Sequence, residues 1–237
     1  MLRVLSVAIC VFLGLSSLTH AGSSNPSTAA TARSVSFERR AALFGAIPGS
    51  TKPSAASAAA TGGKTSIPYG WVDFCGRRPA ECNVSPLPAA DIKLTAETWN
   101  YLERINREVN ASIEPMSNLE HWGTMMDHWD YPVDGKGDCK IYALYKRKLL
   151  LEAGFPRQAL LMTIVRDLND EGHTILTVKT DRGDFVLDNL ADQVRPWDVT
   201  GYNFLKRQSQ QNPNIWVSIN LRGDASRAST ANLQARN

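Results

Sequence analysis

At Gly154-Phe155-Pro156 the hydrophobic pattern of this chain changes period, and that change restricts the fold more than any other feature. Upstream, from about Cys139 to Ala153, Ile141, Leu144, Tyr145 and Leu149 recur at helical spacing. They mark a buried side, while Lys140, Lys146, Arg147 and Lys148 mostly mark the wet one. Gly154 is a natural helix stop, and Pro156 prevents the helix from resuming. Downstream, Leu160–Val165, His173–Val178 and Phe185–Leu190 are β-rich runs. They are separated by Asp170-Glu171-Gly172 and Asp181-Arg182-Gly183-Asp184, both hairpin-type turns. Two further runs, Tyr202–Arg207 and Ile215–Asn220, extend the meander. An earlier helix is expected from about Thr95 to Ala111, with Thr95 as N-cap, Leu102, Ile105 and Val109 as its buried stripe, and Pro115 beyond its end. Helices first and strands afterwards define an α+β fold with the Cys139 helix packed on an antiparallel sheet.

The 237 residues suffice for one packed domain with appendages. A net charge of +3 with no dense Lys/Arg stripe argues against nucleic acid as a partner. Arg3, the apolar run Val4–Leu18 and the small residues Thr19 and Ala21 form the layout of a signal peptide over residues 1–21. About 15 apolar residues is short for a membrane span of roughly 20, and Cys10 lies within the run rather than at its end, unlike a lipoprotein site. The chain is therefore expected to be exported, and after cleavage not membrane-spanning. Residues 22–66, dominated by Ala, Ser, Thr, Gly and Pro, are expected to form a disordered linker, interrupted at most by a transient helix over Ser36–Phe44. Aromatic residues begin at Pro68-Tyr69-Gly70-Trp71, which sets the folded domain at 67–221. Residues 222–237 return to small and polar types and are expected to be disordered.

Export changes how the cysteines are read. Cleavage would leave Cys75, Cys82 and Cys139, an odd number. Gly76 and Pro79 permit a tight loop, so Cys75 and Cys82 either form a disulfide or remain two buried thiols. Cys139 has no local partner. A thiol attacks carbonyls as the thiolate, and a helix N-terminus supplies the positive potential and free N–H groups that favour it. His173 opens a strand directly after Gly172. Pairing across the 181–184 turn sets Asp188 opposite His173 or one pleat away, where a carboxylate can orient an imidazole. Each residue alone also has a structural reading: a helix-start cysteine, a polar strand-edge histidine, a turn aspartate. His121 and His128, with Asp127 and Asp130 nearby, are too widely spaced for a helical metal pair. Trp122 and Trp129 are assigned to packing or to the lip of a groove.

Several motifs together resemble a known family. These are Gly137-Asp138-Cys139, Leu149-Leu150-Leu151-Glu152-Ala153-Gly154, Glu171-Gly172-His173, Leu176-Thr177-Val178, Gly183–Asn189 and Lys206-Arg207-Gln208-Ser209. Over roughly His121 to Val217 the chain is similar to the bacterial transglutaminase-like cysteine proteinases. The resemblance implies a papain-like/transglutaminase-like core, with Cys139 as nucleophile, His173 as general base and acid, and Asp188 as its orienter. It further implies a periplasmic enzyme, a protein or peptide substrate in the cell envelope and a membrane-anchored regulator. It also implies calcium held by acidic residues on both sides of the nucleophile. Asp138 fits that pattern, but Lys140 and Ile141 stand where acidic residues would be required, and an ammonium repels a divalent cation. No cofactor is therefore expected. Hydrolysis, acyl transfer to an amine or deamidation, and non-catalytic peptide binding are the rival activities. The sequence does not separate the first two, because acceptor choice depends on the shape of the groove.

Overall fold

The computed structural model describes residue 53 and residues 55–219. The expected 1–21 signal peptide, transient Ser36–Phe44 helix and disordered 222–237 tail lie outside the described residues. Among the described residues, five α-helices precede most of the sheet: α1 (Tyr69–Arg77), α2 (Pro79–Cys82), α3 (Ala96–Ser112), α4 (Asn118–Trp122) and α5 (Cys139–Glu152). The strands are β1 (Thr61–Thr65), β2 (Glu114–Pro115), β3 (Lys136–Gly137), β4 (Leu160–Arg166), β5 (Gly172–Thr180), β6 (Gly183–Asp188), β7 (Ala191–Pro196), β8 (Asn203–Gln208) and β9 (Trp216–Ile219). Seven of them form one sheet in the order β1-β9-β8-β4-β5-β6-β7, every neighbour antiparallel. The α+β architecture matches the sequence pattern.

Local chemistry accounts for the helices that position the site. The Thr95 hydroxyl accepts from the Thr98 N–H at 3.2 Å and starts α3. Leu102, Ile105 and Val109 are buried, as their spacing requires. Asp138 caps α5, accepting from the Lys140 N–H at 3.2 Å. Gly154, with φ of +95°, ends that helix in a conformation glycine adopts without strain. β2 and β3 pair in parallel, Pro115 with Gly137, and so fix the approach to Cys139. One core cluster joins the helices to one face of the sheet through Trp71, Leu102, Leu144, Leu150, Leu176 and Phe185. A smaller one, including Val165, Ile175, Val186 and Phe204, covers the other.

The structure corrects two expectations. The disordered linker expected over 22–66 does not reach 66, because Thr61–Thr65 pairs with β9 as an edge strand. Just before it, the Ala59 N–H donates to the buried Asp184 carboxylate at 3.1 Å. An edge strand of this kind is held by backbone hydrogen bonds and needs few apolar side chains, so composition does not reveal it. Lys146 and Arg147 are buried rather than wet. α5 packs against α3 and against β4, β5 and β6, so both its sides are covered and a two-sided reading of its periodicity fails. Arg147 donates through Nε to the Leu160 carbonyl at 3.2 Å and lies over the Trp71 ring. The sheet also gains β7, whose Asp192, Gln193 and Arg195 hide its strand character.

Candidate active site

Cys139 occupies the first position of α5, and among the described residues it is the one free cysteine. Cys75 and Cys82 form a disulfide, which settles the alternative left open by their spacing. Gly137 is required on the approach, since a Cβ there would fall 2.6 Å from the Ile141 side chain. As the first residue of the helix, Cys139 has a backbone N–H without an intrahelical acceptor, at the positive end of the helix dipole.

The three residues singled out in the sequence converge. His173 Nε2 lies 2.8 Å from Asp188 Oδ1, with both side chains nearly inaccessible, and Cys139 is near enough to the imidazole to favour its charged form. With Nε2 engaged by Asp188, Nδ1 is the nitrogen left for the thiol. Burial acts against a charged His173. The Asp188 hydrogen bond and then Cys139 outweigh it and raise the imidazole to about 10. Burial likewise opposes ionisation of Asp188, but its hydrogen bond and charge interaction with His173, together with Tyr202, hold its pKa below the ordinary carboxylate value.

Sequence reasoning missed the shell around Asp188. The Tyr202 hydroxyl donates to Asp188 Oδ2 at 2.7 Å, and its ring meets His173 edge-on at 5.8 Å. The Leu190 N–H donates to Oδ1 at 3.0 Å. From α3, Asn106 Oδ1 accepts from the Asp188 N–H, and Asn110 Nδ2 donates to the Asp188 carbonyl, each at 3.0 Å. Two asparagines one helical turn apart, beside the apolar stripe of α3, were the available signal.

The other candidates lie apart from this triad. His121 pairs with Asp134 at 2.8 Å, and Trp122 stands exposed between His121 and His128. Trp129 is fully buried and is a packing residue. Among the described residues no group of three or more His, Cys, Asp or Glu side chains is arranged to hold a metal ion. Asp138 and Asp127 instead share the Lys140 ammonium, at 2.5 and 3.0 Å, so the residues present do not fit calcium.

Solved structures similar to this chain include Legionella pneumophila LapG, at 21% identity over 60% of this chain and 77% of that one, with a TM-score of 0.43. Its calcium-bound form shows 18% identity over 58% and 88%, with a TM-score of 0.41. Comparison with curated proteins returns no match. The sequence profile of the bacterial transglutaminase-like cysteine proteinases (BTLCP) matches residues 61–224, well over half of the chain, and the protein belongs to that family.

Proposed function

We propose that this protein is an exported cysteine endopeptidase that cuts a protein of the cell envelope through Cys139, His173 and Asp188. The observation that carries the reading is the buried Asp188–His173 hydrogen bond beside Cys139, whose proximity raises the imidazole and which stands at a helix N-terminus. The thiolate attacks the scissile carbonyl carbon. The carbonyl π electrons move to oxygen, and the free N–H at the start of α5 stabilises the resulting charge. As the intermediate collapses, the imidazolium of His173 gives its proton to the leaving amine and the C–N bond breaks, leaving a thioester. His173 then takes a proton from water. The resulting hydroxyl attacks the thioester, and the acid is released with Cys139 restored. Asp188 holds the imidazole in place and stabilises its charged form throughout. Periplasmic location, after loss of residues 1–21, and a membrane-anchored regulator belong to the same reading. No metal takes part in it.

The test compares envelope and secreted proteins of cells carrying the wild type or Cys139→Ala. At least one envelope protein should be cleaved only with the wild type. In the purified protein, iodoacetamide should label Cys139 rapidly below neutral pH, and His173→Ala should abolish that acid-side reactivity. Identical envelope proteomes would exclude proteolysis there, and slow labelling indifferent to His173 would exclude the catalytic pair.

A further inference from the structure

Lys140 follows Cys139 directly, yet its side chain is only 13% exposed. Its ammonium lies 2.5 Å from Asp138 Oδ2 and 3.0 Å from Asp127 Oδ1. The two carboxylates come from different segments. Asp138 caps α5 through its other oxygen, and Asp127 belongs to the loop between α4 and β3. The second oxygen of Asp127 accepts from the Trp129 indole N–H at 2.8 Å. Trp129 in turn is buried edge-on against Trp71 and Trp216. Gly70 lets this loop close down, because a Cβ there would fall 2.1 Å from the Trp129 ring and 2.9 Å from Asp127. An unbroken series of contacts thus runs from the aromatic core through Trp129, Asp127 and Lys140 to the first turn of the nucleophile helix.

We propose that Lys140 is a positioning residue, a tethered cation that pins the 123–130 loop to the start of α5 and organises the Cys139 site without a divalent ion. The proposal rests on Cys139 being the nucleophile. A calcium ion between acidic residues flanking Cys139 would need about six to eight oxygen ligands. Here two carboxylates are already bridged by one ammonium, and Ile141 supplies no oxygen. A divalent ion would have to displace a charge that is covalently attached to the helix. The same bridge fixes the first turn of α5, on which Cys139 stands. Burial disfavours the charge of the ammonium, but Asp138, Cys139 and Asp127 raise its pKa, so it remains cationic across the working range of a thiol enzyme.

The full chain carrying Lys140→Met, Lys140→Arg or Asp127→Asn tests this. The readouts are the pH profile of Cys139 alkylation by iodoacetamide, in chelator and in millimolar calcium, and hydrogen exchange over residues 123–130. Wild-type alkylation should be the same in chelator and in calcium. Lys140→Met and Asp127→Asn should each accelerate exchange in the loop. Each should also slow alkylation near pH 6 by about tenfold. Lys140→Arg should restore most of both. If Lys140→Met does not fold, Asp127→Asn cuts the same link from the other side. Wild-type alkylation that falls on chelation and returns with calcium overturns the proposal. So does a wild-type exchange pattern and pH profile in either neutral variant. Slow wild-type alkylation that His173→Ala leaves unchanged removes the nucleophile assignment, and this proposal with it.

Discussion

His173 and Asp188 share a 2.8 Å hydrogen bond although their backbones are not partners in the sheet. Leu176 pairs with Leu187, so the same register sets Asp188 level with Ile175, two residues from His173. The contact is diagonal, within the reach of such neighbours on one face of a sheet. β6 ends at Asp188, and the chain turns through Asn189 and Leu190 into β7. The same carboxylate accepts the Leu190 N–H inside that turn.

Tyr202 holds the other Asp188 oxygen, so Tyr202→Phe should loosen the carboxylate without emptying the site. A hydrogen bond to a charged group contributes about 1.5–3 kcal/mol. Alkylation of Cys139 should slow by up to about tenfold at acid pH, and urea denaturation should register the lost stability. An unchanged pH profile would show that Tyr202 does not act through Asp188.

The His173 pKa, raised from 6.5 to about 10, makes a signed prediction for stability. The stabilisation is fully present below about 6.5 and is lost as pH rises through about 10. The difference in urea midpoint between wild type and His173→Gln should therefore be largest in mild acid and should shrink towards pH 10. Cys139→Ser should bring that decline to lower pH, because one of the charges supporting the imidazolium is gone.

The disulfide Cys75–Cys82 closes a short loop with a sequence separation of 7. Restricting the unfolded chain in this way is worth about 2–3 kcal/mol. Replacing both cysteines by serine should lower stability by that amount, read from chemical denaturation. Cys139 reactivity should be retained, since neither cysteine of the bridge touches Cys139, His173 or Asp188.

Lys146 is buried on α5, and its ammonium nitrogen has no hydrogen-bond partner among the described residues. Burial lowers its pKa from 10.5 to about 7, although Asp188 and Asp192 partly oppose the shift. The unfolded chain takes up a proton as pH falls below about 10.5 and the folded chain only near 7, so the cost grows across that window and is complete below it. Lys146→Met should stabilise the protein by about 1–3 kcal/mol at neutral pH, the scale of an unsatisfied buried donor. The gain should fade as pH approaches 10.5. A gain independent of pH would place the benefit in packing rather than charge.

Much of the site was legible because its signals are local. A glycine turn before a helix start, a histidine after a glycine, and a hairpin of defined length each depend on a few neighbouring residues. Together they led to Cys139, His173 and Asp188. The α3 stripe and the order of β4, β5 and β6 followed from periodicity for the same reason.

The tertiary structure decided what depends on residues far apart in the chain. Asn106 and Asn110 reach Asp188 from α3 and Tyr202 from the segment just before β8, and no spacing rule links them to it. The edge strand 61–65, polar and glycine-containing, has its place only because β9 offers unpaired backbone groups. Lys146 and Arg147 look like wet-face residues until α3 and the sheet cover both sides of α5, because periodicity describes one element and burial is decided by all the elements packed against it. From sequence, Lys140 was a charge in the wrong place for a metal. The fold brings Asp127 to it from the loop between α4 and β3 and makes it a buried bridge, because an ion pair is decided by which side chains the packing brings within reach.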